Sequence, residues 1–181
     1  MTPSELVSAL IGLGIKVTER TLLNWVNAGV LPEPERSNLG RSRGKIADYT
    51  PDAPFVAYAA WRLKFDGGLK LPEIACIKRD VVDWWESEAT GKPLPKHIWF
   101  TPEHFAWIIF YRLASCNVPA DVPVVIANWD PPGMASFYPR SAVIEGADHV
   151  EAGILPSKGL EAKLIELIKA NRTRTTLFPY D

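Results

Sequence analysis

Two helix-start signals close together, with glycines between them, constrain this chain most. Thr2-Pro3-Ser4-Glu5 offers Thr2 as an N-cap, Pro3 at the first helical position and Glu5 to close a capping box. Leu6, Ala9, Leu10 and Leu13 then share one helical face until Gly12 and Gly14 end the segment. Thr18 caps a second helix that runs to Ala28 and stops at Gly29. Two short helices separated by about three residues have the geometry of a helix-turn-helix.

The second helix is two-faced. Leu22, Trp25 and Val26 cluster on one side and can pack on the first helix. Arg20, Asn24 and Asn27 gather on the other, with Thr21 beside them. Any surface helix has a polar face. This one is made of amides and a guanidinium rather than Glu/Lys pairs, and those groups suit base edges or phosphates.

A basic segment follows. Arg36, Arg41, Arg43 and Lys45 lie within ten residues that hold no acid, with Gly40 and Gly44 among them. The segment reads as a hairpin with strands near 34–37 and 45–49. The chain's net charge is −1, but its first 80 residues hold 11 Lys+Arg against 9 Asp+Glu and the rest 9 against 12. A DNA surface senses mostly nearby charge, so a local patch can bind phosphates on a near-neutral protein. A solvated basic loop is the plain alternative. A third helix is expected from Pro51 or Asp52 to Phe65, stopped by Asp66-Gly67-Gly68, and a fourth from Leu71 to about Ala89.

Val17-Thr18-Glu19-Arg20-Thr21-Leu22 followed by Gly29-Val30-Leu31-Pro32 resembles the recognition helix of the MerR family and its exit. Arg36, Gly40 and Tyr49-Thr50-Pro51-Asp52 are similar to that family's wing and the start of its third helix, and Gly68-Leu69-Lys70-Leu71-Pro72-Glu73-Ile74 to its next junction. The likeness covers about residues 3–80. It implies a winged helix-turn-helix with the second helix (18–28) in the major groove and the wing (36–49) on the DNA backbone. It assigns base or phosphate contacts to Thr18, Arg20 and Thr21, and backbone contacts to Arg36 and Tyr49. The residues themselves add Asn24, Asn27, Arg41, Arg43 and Lys45.

Three departures stand out. Leu23-Asn24 replaces the family's usual Arg-Tyr, removing one phosphate contact, and the wing is longer and more basic at its tip. Thr90-Gly91-Lys92-Pro93-Leu94-Pro95 breaks the chain where a dimerising coiled coil would continue.

In the second half, Thr101-Pro102-Glu103 starts a helix that is apolar nearly all round from Phe105 to Ala114. Val122–Trp129, Ser136–Glu145 and His149–Leu155 read as strands, and Lys158 to about Asn171 as an amphipathic helix. The fold class expected is thus α+β: a winged helix-turn-helix domain over 1–90, then a small α/β domain over 91–181 for dimerisation or effector sensing.

Trp85, Trp99, Trp107 and Trp129 could line a small-molecule effector pocket, although tryptophans more often fill cores. Asp80, Asp83, Glu86 and Glu88 read as the solvated face of a helix. Cys76 and Cys116 stand singly and read as buried small hydrophobes, and His97, His104 and His149 are scattered, so neither a metal nor a cofactor is expected. No nucleophile-base motif or phosphate-binding glycine loop appears, which argues against an enzyme. No apolar run approaches the roughly 18 residues of a membrane span, and the N-terminus lacks a secretory pattern, so a cytoplasmic location is expected.

These features favour a sequence-specific transcriptional regulator that binds double-stranded DNA as a homodimer. An architectural or excisionase-like accessory protein and a protein-interaction module remain open.

Overall fold

The structure, a computed structural model, describes residues 1–38, 45–91, 101–115, 123–129, 134–139 and 154–177. Helix α1 (Pro3–Gly12) begins with a complete capping box. Thr2 Oγ1 accepts from the Glu5 N–H at 3.3 Å, and Glu5 Oε2 accepts from the Thr2 N–H at 2.7 Å. Gly14, with φ +80°, ends it. Helix α2 (Glu19–Asn27) is capped by Thr18, whose Oγ1 accepts from the Thr21 N–H at 3.2 Å, and Gly29 at φ +76° turns the chain away. Left-handed backbone is where glycine avoids the Cβ penalty.

Strands β1 (Glu35–Asn38) and β2 (Lys45–Asp48) pair antiparallel, from Glu35 opposite Asp48 to Asn38 opposite Lys45. The end of β2 is stitched to the start of the chain. The N-terminal ammonium donates to Asp48 Oδ1 at 2.7 Å, and the Tyr49 N–H donates to the Met1 carbonyl at 2.7 Å.

Helix α3 (Ala53–Trp61) is rich in alanine, so α1 and α5 (Pro102–Ser115) can both pack closely against it. The sequence predicts that this helix runs unbroken to Phe65. Instead Arg62–Asp66 widens into a π turn, closed by the Gly67 N–H donating to the Arg62 carbonyl at 3.1 Å. Gly67 is needed there for space: a Cβ would lie 2.7 Å from the Leu63 carbonyl oxygen and 3.4 Å from Ile168 Cγ2. Helix α4 (Leu71–Thr90) follows, and Gly91 ends it in the left-handed region.

Strand β3 (Pro123–Trp129) pairs antiparallel with both β4 (Met134–Pro139) and β5 (Ile154–Pro156). Helix α6 (Ser157–Leu177) then returns to pack on α5.

Six helices and the π turn carry most of the described residues, so the fold is mostly helical. This corrects the α+β class expected from the sequence, with its winged domain and separate α/β region. The physical reason lies in α5. A helix apolar all round cannot lie as a one-sided layer on a small sheet. Its Ala106, Trp107, Ile109 and Phe110 are buried in the same cluster as Leu6, Leu10, Leu22 and Trp25 of the first two helices and Ile168 of α6. One helical core therefore joins both halves of the chain, and the described strands are short ladders beside it.

Candidate nucleic-acid interface

Helix α2 is held by its inner face. Leu22 and Trp25 are fully buried, so the helix cannot rotate without exposing them. That fixes which residues face solvent: Thr18, Arg20, Asn24 and Asn27 are exposed. No described residue bonds to the side chains of Arg20, Asn24 or Asn27, and their donors and acceptors face outward unused. Thr21 is half-buried, and its Oγ1 lies 3.0 Å from Thr18 Oγ1, so the two hydroxyls share one hydrogen bond at the helix start.

One residue of the hairpin's exit feels the start of this helix electrostatically. The phenol of Tyr49, one residue past β2, is held above its ordinary value by burial and then by the negative charge of Glu19 on α2. Arg36 lies on β1 opposite Ala47, and Lys45 lies on β2 opposite Asn38. The side chains of Arg36 and Lys45, and the whole of Arg41 and Arg43, fall outside the described residues.

Tyr49 needs a correction. The sequence places it on the DNA backbone, but it is 6% exposed and belongs to the core. Its ring packs in the core while its backbone N–H bonds the Met1 carbonyl, so it anchors the hairpin rather than presenting a ring to phosphate.

The expected tryptophan pocket does not come together among the described residues. Trp107 is 1% exposed inside the core, its ring surrounded on every side. Trp85 is half-buried and packs on Tyr111 with ring centroids 5.4 Å apart, while the Arg112 guanidinium lies 5.9 Å from its ring centre. Trp99 and the side chain of Trp129 fall outside the described residues.

Sequence reasoning missed two features. His104 is buried, accepts from the Thr101 N–H at Nδ1 (3.2 Å), and directs Nε2 toward Asp80 Oδ2 at 3.4 Å. That geometry leaves the ring proton on Nε2. Asp80 is accordingly drawn inward and not on a fully solvated face. Close by, an open groove of about 470 Å³ is lined by Leu69, Glu73, Cys76, Ile77, Glu103 and Arg172 among others. Its buried carboxylate, Glu103, accepts from Asn171 Nδ2 at 3.0 and 3.2 Å. A lone acid at the head of an apolar helix was the available signal. Cys76, expected to be buried, is exposed.

No group of three or more His, Cys, Asp or Glu side chains among the described residues could hold a metal ion. Nor is any described helix long and apolar enough to cross a membrane.

No protein-family model, curated protein or solved structure matches the chain. The likeness to the MerR family therefore rests on the residues quoted above and on nothing outside the sequence.

Proposed function

We propose that this protein binds double-stranded DNA and acts as a transcriptional regulator, with α2 lying in the major groove. The observation that carries this reading is the outward arc of Arg20, Asn24 and Asn27, exposed and unengaged, on a helix whose opposite face is locked into the core. Arginine can grip guanine bidentately and asparagine can do the same to adenine. The basic segment from Arg36 to Lys45 contacts phosphates beside the groove; the supporting observation is that Tyr49, just past the hairpin, is within electrostatic reach of Glu19 at the start of α2. The arrangement is read as cytoplasmic and homodimeric, since one short helix covers a single half-site and tight specific binding normally needs two.

Glu19 weighs against the reading locally, because its exposed carboxylate would repel a nearby phosphate. The four basic residues of the hairpin segment outnumber it.

Incubation of the purified protein with a pool of random duplex DNA at moderate salt, followed by sequencing of the retained molecules, tests this function. Enrichment of a motif is the expected result, and an inverted repeat within it would show a dimer. No retention even at low salt would overturn the proposal.

A further inference from the structure

Leu23 is 56% exposed although both neighbours on the inner face, Leu22 and Trp25, are fully buried. At about 100° per residue, Leu23 projects about 60° from Arg20 and about 40° from Asn27. It stands three residues after Arg20 and four before Asn27, so all three side chains are surface neighbours on one face of α2. The other large apolar side chains that are exposed among the described residues, Ile11, Phe65 and Leu167, lie on other elements. Within α2, then, one isobutyl group is set into an otherwise hydrogen-bonding arc and contributes nothing to the core.

The major-groove edges of the bases offer hydrogen-bond donors and acceptors at every pair, and only one apolar group, the C5 methyl of thymine. We propose that Leu23 is a specificity-determining residue that reads a thymine methyl, flanked by the polar contacts of Arg20 and Asn27. This rests on the proposal that α2 enters the major groove. It assigns to that helix a preference for a T at one fixed position, beside the bases read by its polar neighbours. An aliphatic side chain also cannot satisfy the exposed amino group of cytosine, so the same contact disfavours a C there.

The test measures binding by fluorescence anisotropy on the duplex enriched from the random pool. Each thymine is replaced in turn by deoxyuridine, which removes only the methyl group. Wild type and Leu23→Ala are compared, with circular dichroism to show that this exposed substitution leaves the fold intact. At one position, loss of the methyl should weaken wild type about fourfold, the worth of roughly one buried methyl group. Leu23→Ala should already be weakened on the thymine duplex and should show no further loss with deoxyuridine at that position. If wild type is insensitive at every position, or Leu23→Ala responds as wild type does, the assignment of Leu23 is wrong. The DNA-binding proposal would then survive, because the enriched motif and its sensitivity to Arg20→Ala do not depend on Leu23. If no motif is enriched at all, both fall.

Discussion

Arg62 and Glu161 meet where the π turn touches α6, with Nη2 2.9 Å from Oε2. The same carboxylate accepts from the Tyr58 hydroxyl at 3.0 Å, and the same guanidinium holds Asp66 at 3.0 Å and lies over the Phe110 ring. Both partners are mostly buried, at 22% and 15% side-chain exposure, so solvent screens the pair only in part. Four elements of one core are tied together by two side chains. Glu161→Gln keeps the shape and removes the charge. It should lower unfolding stability by about 1.5–3 kcal/mol, as expected for a lost hydrogen bond to a charged group. Urea unfolding measures this, and a change within error would show that the charge of Glu161 is not what holds Arg62 in place.

Gly67 is the second point where α6 meets the π turn. Its backbone has an ordinary φ, so the demand is for space: the Leu63 carbonyl cannot yield as a flexible side chain could. Gly67→Ala should cost about 1–3 kcal/mol through overpacking. Gly12→Ala is the control, because nothing lies within 4 Å of a Cβ there. Equal thermal midpoints for the two variants would contradict the close approach.

Burial, and then the negative charge of Glu161, hold the Tyr58 phenol well above its ordinary value. A folded value above the unfolded one near 10 means that this group's contribution is complete below pH 10. It is lost as pH climbs from there through the folded value. Tyr49 and Tyr111 are raised in the same sense by burial, whereas burial lowers Lys78 and so acts with the opposite sign. Those groups are common to wild type and Tyr58→Phe, so the difference between the two isolates Tyr58. Thermal midpoints measured from pH 8 to 11 should fall above pH 10 more steeply in wild type than in the variant. Parallel curves would contradict the assignment.

Cys76 is free and exposed on α4, at the lip of the groove. A thiol reagent applied to the native protein should label the peptide that carries Cys76 without denaturant, and Cys76→Ser should remove the label from that peptide. Labelling that appears only after unfolding would show that the thiol is covered.

What could be read from the sequence was what depends on near neighbours. The caps at Thr2 and Thr18 are decided within a few residues, and both are present as the residues suggest. The outward arc of Arg20, Asn24 and Asn27 follows from a 3.6-residue period alone. Tyr49 could not be placed this way, because its burial depends on core residues distant in sequence, among them Leu6, Leu10 and Trp25. Trp107 was ambiguous for a similar reason: an aromatic on an all-apolar helix fits a pocket or a core until the packing of α3 and α5 is known. The π turn has an ordinary helical composition, Arg-Leu-Lys-Phe-Asp, and carries no local mark. Arg62 with Glu161 and Glu103 with Asn171 are long-range pairs, and no periodicity announces them.

The claim that α2 reads bases while the hairpin grips phosphates is tested most directly by one comparison. Affinities of wild type, Arg20→Ala and the double variant Arg41→Ala/Arg43→Ala are measured on the enriched duplex and on random duplex, across a range of salt. Arg20→Ala should lose about 1–3 kcal/mol on the enriched site and much less on random DNA. The double variant should weaken both alike, with a salt slope flatter by about two. If Arg20→Ala weakens both DNAs equally, or leaves both unchanged, α2 does not read sequence and the account fails.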